Sequence, residues 1–146
     1  MNTNTYVIYT DGGARGNPGP AALGVVIQDG AGKMLKEYGE YLGERTNNEA
    51  EYEAVIFALK KLKQLAGKAH TKQASVEVRM DSELVVRQLS GLYKVEEERL
   101  QPLFMKIWNL KTDFGRVSFV HVPREKNRAA DRQVNKALDA EESKLF

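Results

Sequence analysis

Cysteine is missing from the chain altogether. That excludes disulfides, cysteine-ligated zinc and thiol nucleophiles, and fits a reducing cytoplasm. Histidine is scarce, at two residues, so a metal centre would be built mainly from oxygen ligands. No apolar run approaches the roughly 18 residues of a membrane-spanning helix, and no membrane association is expected. The first residues, Met1-Asn2-Thr3-Asn4, lack the basic segment and apolar core of a signal peptide. Charge of one sign is also lacking: 22 Lys and Arg against 20 Asp and Glu leave a formal +2, too little to identify a partner. A pI near 8.8 permits nucleic acid without arguing for it. Repeats, low-complexity stretches and linkers are absent, so residues 1–146 are expected to form a single domain with a real core. A composition 42% hydrophobic and 29% charged reads as a globular fold.

What is present begins with a β-rich run, Tyr6-Val7-Ile8-Tyr9-Thr10, that drives into Asp11. Glycine and proline crowd the residues behind it, which predicts that the strand stops there and turns. Alternation puts Asp11 on the face of Val7 and Tyr9. A buried carboxylate without a partner costs several kcal/mol, so Asp11 asks for a cation, a metal or several hydrogen bonds. The pattern predicts strands over Thr5 to Asp11, Leu23 to Gln28 and Met34 to Leu42, joined by short turns as an antiparallel meander. From Thr46 the period becomes helical, with Ala50, Ala54, Val55, Ala58, Leu62 and Leu65 on one stripe and Thr46 or Asn47 as cap. A strand over Ser75 to Asp81, helices over Ser82 to Leu89 and Leu100 to Leu110, a strand over Val117 to Val122 and a helix over Asn127 to Ala140 complete the order βββαβααβα. This is an α/β fold: a five-stranded mixed sheet, a meander followed by parallel crossovers, flanked by helices. A ligand site belongs near the carboxyl ends of the central parallel strands.

Glu51 and Asp131 fall on the apolar stripes of their helices, and Asp81 ends the strand expected beside the first. Taken singly each acid has an ordinary explanation. Asp11 suits a turn, Asp81 a helix cap, and Glu51 and Asp131 the first turn of a helix, where acids meet the dipole favourably. Together the four point at one region, where like charges repel unless a cation intervenes. Oxygen ligands favour Mg²⁺ or Mn²⁺, and a pair of such ions about 4 Å apart is the arrangement that cleaves phosphodiesters.

These residues sit in four local motifs: T-D-G-G-A-R-G-N-P-G-P at 10 to 20, T-N-N-E-A-E-Y at 46 to 52, M-D-S-E-L-V-V-R-Q at 80 to 88 and H-V-P-R-E-K-N-R-A-A-D at 121 to 131. In this order they resemble type 1 ribonuclease H over roughly residues 5 to 140, closest in form to its compact archaeal-like and bacterial branch. The resemblance implies a ribonuclease H-like fold and hydrolysis of the RNA strand of an RNA/DNA hybrid, leaving 5′-phosphate and 3′-hydroxyl ends. It implies that Asp11, Glu51, Asp81 and Asp131 hold two Mg²⁺ ions, with Mn²⁺ as a substitute. One ion would activate the attacking water and the other stabilise the departing 3′ oxygen. The motif picks Glu51 over Glu49, and helical phase agrees, since Glu49 lies about 200° around. Glu53 is expected to face solvent. His121 matches the family's mobile-loop histidine, with a role in proton transfer or product release. A surface histidine at a strand end is the plain alternative. Substrate contacts carried over are Gly12, Gly13, Asn17, Arg45, Thr46, Asn47, Asn48 and Asn127; for Asn17 and Asn47, turn formation and capping remain open. The partner implied is the hybrid itself, with a cytoplasmic monomer needing no other protein.

Two departures from the family stand out. Relatives from enterobacteria carry a basic protrusion between the middle helices, whereas Gly91 to Arg99 is acidic on balance here, which predicts weaker, more salt-sensitive binding. Gln133 interrupts the stripe of Ala130, Val134 and Ala137 where leucine is usual. His70 reads as inert, and Lys60, Lys61 and Lys63 as a solvated face. Other readings of the same residues are an integrase, resolvase or retroelement relative on this fold, a non-catalytic hybrid-binding module, and a nucleotide-binding protein using Gly12 to Gly19 as a phosphate loop. The last lacks the G-x-x-x-x-G-K-S/T pattern.

Overall fold

The computed structural model describes residues 4–144. The apolar runs near the start pair as antiparallel strands β1 (Thr5–Ala14), β2 (Gly19–Asp29) and β3 (Met34–Arg45). β1 does not stop at Asp11 as predicted. Gly12, Gly13 and Ala14 continue the ladder opposite Leu23, Ala22 and Ala21, because the hydrogen bonds of an antiparallel pair need no side chain. The turn comes at residues 15–18 and closes with Arg15 N–H donating to the Pro20 carbonyl at 2.8 Å. Strand regularity through Ala14 keeps Asp11 on the face of Val7 and Tyr9.

Helix α1 (Asn47–Ala66) starts on a capping box: the Thr46 hydroxyl accepts from Glu49 N–H at 3.1 Å, and the Glu49 carboxylate accepts from Thr46 N–H at 2.9 Å. Glu49 is thereby spent on the helix start. A short helix α2 (Lys68–Thr71), absent from the sequence expectation, precedes β4 (Ser75–Met80); four residues are too few to show a helical period. Then follow α3 (Glu83–Leu89), α4 (Gln101–Lys111), β5 (Arg116–His121), a 3₁₀ turn at Arg124–Lys126 and α5 (Arg128–Ser143). The sheet order is β3-β2-β1-β4-β5, with β1, β4 and β5 mutually parallel neighbours. This is the predicted five-stranded mixed sheet. β4 sits at the centre of the parallel part, so its carboxyl end and that of β1 open on the same side.

The main core lies between one face of the sheet and α1, α3 and α4, around Ile8, Val25, Tyr52, Val55, Leu59, Val78 and Met80. Leu65 departs from the expected stripe and is exposed, one residue from the helix end. Lys63 is not a free solvated charge: it pairs with Asp113 at 2.8 Å, while Lys61 lies over Tyr38 and Phe57. A smaller cluster of Ala22, Val134 and Leu138 seats α5 on the opposite face. There the helix rests backbone to backbone. A methyl at Gly24 would lie 2.0 Å from the Ala130 carbonyl oxygen, and one at Gly39 would lie 2.6 Å from that of Gln133. Gln133 is thus placed over two glycines at the rim of this face. It is half-buried and its amide is not an unpartnered buried group.

Candidate active site

β1 delivers Asp11, the residue after β4 delivers Asp81, and the second turn of α1 delivers Glu51. One oxygen from each lies within 4.8 Å of the other two. Asp11 is 8% exposed and Glu51 5% exposed, so two of three carboxyls are largely out of water. Gly12 makes this approach possible. A methyl there would lie 2.2 Å from the Ala50 carbonyl carbon, so only glycine lets β1 press against the α1 backbone. Its N–H then donates to Asp11 Oδ1 at 3.0 Å and also to Glu51 Oε1. Gly12 is therefore committed to the interior packing. Gly13 has only the Val134 side chain, at 3.7 Å, near where a methyl would stand.

Burial is the main cause that raises Asp11 to about 7. The charge of Asp81 adds to it, a carboxyl hydrogen bond from Glu51 opposes it, and Asp131 adds further. Burial likewise lifts Glu51 well above the usual carboxylate range, with Asp11 and Asp81 contributing and the Gly12 N–H opposing. Glu51 Oε2 is buried with no hydrogen-bond partner. Among the described residues, no lysine or arginine forms an ion pair with Asp11, Glu51, Asp81 or Asp131. The donor set is hard oxygen with an open lone pair, which suits a divalent cation of the Mg²⁺ or Mn²⁺ type.

Asp131 corrects one expectation. It lies on the exposed side of α5 rather than on a buried stripe, while Ala130, Val134 and Leu138 are buried. The first turn of α5 overhangs the end of the sheet, so this part of the stripe faces a cleft of about 390 Å³ that Asp131 shares with Asp11, Glu51 and Asp81. Asn135, one turn on, donates to Asp131 Oδ2 at 3.3 Å.

His121 ends β5 beside Met80 and is exposed, but it is not among the residues lining the cleft. Arg124, three residues later, is. It also lines a shallow depression with Arg128 and Asp131. Arg124 stands in the fourth motif, and the signal that could have found it is a cation in the loop between a sheet end and Asp131. Arg15 lines the cleft as well and is held by Asp139 at 2.8 Å and Glu142 at 2.6 Å.

The expected substrate contacts fall into three groups. Asn17, Thr46, Asn47 and Asn48 line an adjoining groove of about 600 Å³, with Glu97, Glu98 and Arg99 across it. Asn17 Oδ1 accepts from Asn47 N–H at 2.9 Å, and Asn47 Oδ1 accepts from Ala14 N–H at 2.8 Å. Asn48 Nδ2 reaches Glu97 at 3.5 Å. Arg45 is engaged instead by Glu53 at 2.7 Å, so Glu53 is a partner rather than a bare solvent-facing charge. Asn127 is 1% exposed and its Nδ2 donates to the Thr10 carbonyl at 2.9 Å. It is packed inside the fold and does not line the groove.

Residues 9–137 match the family described as reverse transcriptase-like. The chain is 41% identical to ribonuclease HI of Halobacterium salinarum over 131 residues, 90% of this chain and 63% of that protein. It is 40% identical to the bifunctional protein Rv2228c of Mycobacterium tuberculosis over 135 residues, 92% of this chain and 35% of that one. The chain thus spans less than two thirds of these relatives. Among solved structures, LC11-RNase H1 in complex with an RNA/DNA hybrid, a protein isolated from compost by a metagenomic approach, superposes with a TM-score of 0.88 at 54% identity. That match covers 92% of this chain and 97% of the other.

Proposed function

The chain belongs to the type 1 ribonuclease H family, and from that premise we propose that it is an endonuclease hydrolysing the RNA strand of RNA/DNA hybrids. The observation that carries the proposal is the convergence of Asp11, Glu51 and Asp81 within 4.8 Å, with Glu51 Oε2 unpartnered. LC11-RNase H1 is described with an RNA/DNA hybrid bound, which supports the same substrate here. The four acids would hold two Mg²⁺ ions, or Mn²⁺, with Asp131 closing the set from α5. Such ions, when bound, supply a water of lowered pKa and stabilise charge on the departing 3′ oxygen, giving 5′-phosphate and 3′-hydroxyl ends.

The protein's own residues prepare that chemistry. Glu51 and Asp11 must surrender the proton that burial favours, and the Gly12 N–H keeps both carboxyls aimed while they do. Arg124 lines both depressions that Asp131 lines and is the cation suited to a scissile phosphate, while His121 keeps the expected part in proton transfer or product release. Because backbone donors occupy Oδ1 of Asn17 and Asn47, their Nδ2 groups are left to donate to sugars and base edges in a shallow minor groove. The Thr46 hydroxyl accepts from Glu49 N–H and retains its own proton for a phosphate. We further propose a single domain over residues 1–146, acting as a cytoplasmic monomer; no helix of the described residues is long and apolar enough to cross a membrane.

A hybrid labelled separately on each strand tests the proposal with and without Mg²⁺. RNA-strand cleavage only with the ion, lost in Asp11→Asn, is expected. Cutting of the DNA strand, or preference for branched DNA or duplex RNA, would overturn it.

A further inference from the structure

We propose that Asn127 is a positioning residue, the hub that fixes Asp131 and Arg124 relative to Asp11. Three of its groups reach three parts of the site. Its side-chain Nδ2 donates to the Thr10 carbonyl at 2.9 Å, one residue before Asp11 on β1. Its backbone carbonyl accepts from Asp131 N–H at 3.1 Å and thereby opens α5. Its backbone N–H donates to the Arg124 carbonyl at 2.9 Å and closes the 3₁₀ turn. A single residue thus joins the strand that bears Asp11, the helix that bears the fourth acid and the turn that bears the cation.

The way it is buried supports this role over plain packing. Asn127 Oδ1 and Thr10 Oγ1 are both buried without partners, an imperfect arrangement for an interior amide. An apolar residue of similar shape at 127 would remove the stranded Oδ1, but it could not hold the Thr10 carbonyl. Nor does Asn127 serve as a side-chain cap for α5, the usual use of asparagine before a helix. What remains is the cross-tie between residues 117 apart in sequence. Its donor sets the distance between β1 and the first turn of α5, where Asp131 meets the field of Asp11.

This inference rests on the proposed metal chemistry for its meaning, but its test is read on the free protein. Mn²⁺ binding to hybrid-free protein is measured by calorimetry for wild type, Asn127→Ala and the smaller uncharged Asn127→Ser, which serves if the alanine variant fails to fold. Loss of a group that orients metal ligands is expected to weaken Mn²⁺ binding roughly tenfold, with hybrid affinity in the absence of divalent ions unchanged within about twofold. Ile107→Ala, a core truncation in α4 away from the site, provides a variant of lowered melting temperature in which Mn²⁺ affinity stays at the wild-type value. Weakened hybrid binding with normal Mn²⁺ affinity would overturn the proposal in favour of a substrate contact. A lowered melting temperature with both affinities intact would reduce Asn127 to packing and overturn it equally. A wild-type protein that binds Mn²⁺ but cleaves no hybrid would defeat the proposed function while leaving this comparison standing.

Discussion

Burial, with the charge of Asp81 beside it, pushes the Asp11 carboxyl up to about 7 in the folded chain, against 3.8 for the free side chain. Its contribution to stability is therefore full below about pH 4 and is lost as pH rises through 7. The metal-free protein is expected to melt at a lower temperature at pH 8 than at pH 5.5. Asp11→Asn should remove much of that difference while abolishing cleavage, and Mg²⁺ should restore wild-type stability at pH 8. Equal wild-type melting temperatures at the two pH values would contradict this account. Gly12→Ala makes a separate test: a methyl meeting the Ala50 backbone forces α1 off β1. A loss of about 2–3 kcal/mol in denaturant unfolding, together with most of the activity, is expected. The four acids were legible in the sequence because each stands in a strong local motif. The duty of Gly12 was not, since nothing local announces that a helix backbone will lie 2.2 Å from its missing methyl. The tie from Asn127 to Thr10 was hidden for the same reason: the two are 117 residues apart.

Among the elements, the turn between β5 and α5 separates two candidates for the auxiliary role. Arg124 lines the acid cleft and His121 does not. Arg124→Ala is accordingly expected to lower kcat on hybrid by at least about tenfold, and His121→Ala by less; the reverse ranking in steady-state kinetics would return the role to the histidine. The start of α1 is tested by Thr46→Ala, which removes half of the capping box and should cost about 1 kcal/mol in thermal unfolding. That box could be read directly from the Thr46 to Glu49 spacing, as could the helix period behind it. The true end of β1 is hidden in the sequence because glycine and proline together carry the same signal as a turn. Only pairing with β2 distinguishes glycines that continue a strand from those that end it. α2 escaped because a single turn has no repeat to detect.

For the molecule as a whole, the order of strands followed from short connections early in the chain and helix-bearing crossovers later. That order alone brings the ends of β1 and β4 together. The acidic balance of Gly91 to Arg99 was legible in the sequence; that it lies against the asparagines at the start of α1 was not. Glu97 and Glu98 stand across the groove from Asn17, Thr46 and Asn48, where phosphate would feel them. The double variant Glu97→Gln, Glu98→Gln is expected to lower KM for hybrid several-fold. The gain should shrink between about 50 mM and about 200 mM salt, as screening shortens the reach of those charges. An unchanged KM at low salt would show that the groove does not carry the backbone.

The seat of α5 on Gly24 and Gly39 bears on how this fold could be tuned. Helix height above the sheet is set there by two absent methyl groups, at positions that belong to none of the four acids. An alanine at either would act as a shim, lifting the helix and with it Asp131, while leaving Asp11, Glu51 and Asp81 where the other layer holds them. The spacing of the fourth acid is thus an adjustable dimension, controlled from Gly24, the partner of Asp11 across the ladder, and from Gly39 on the next strand.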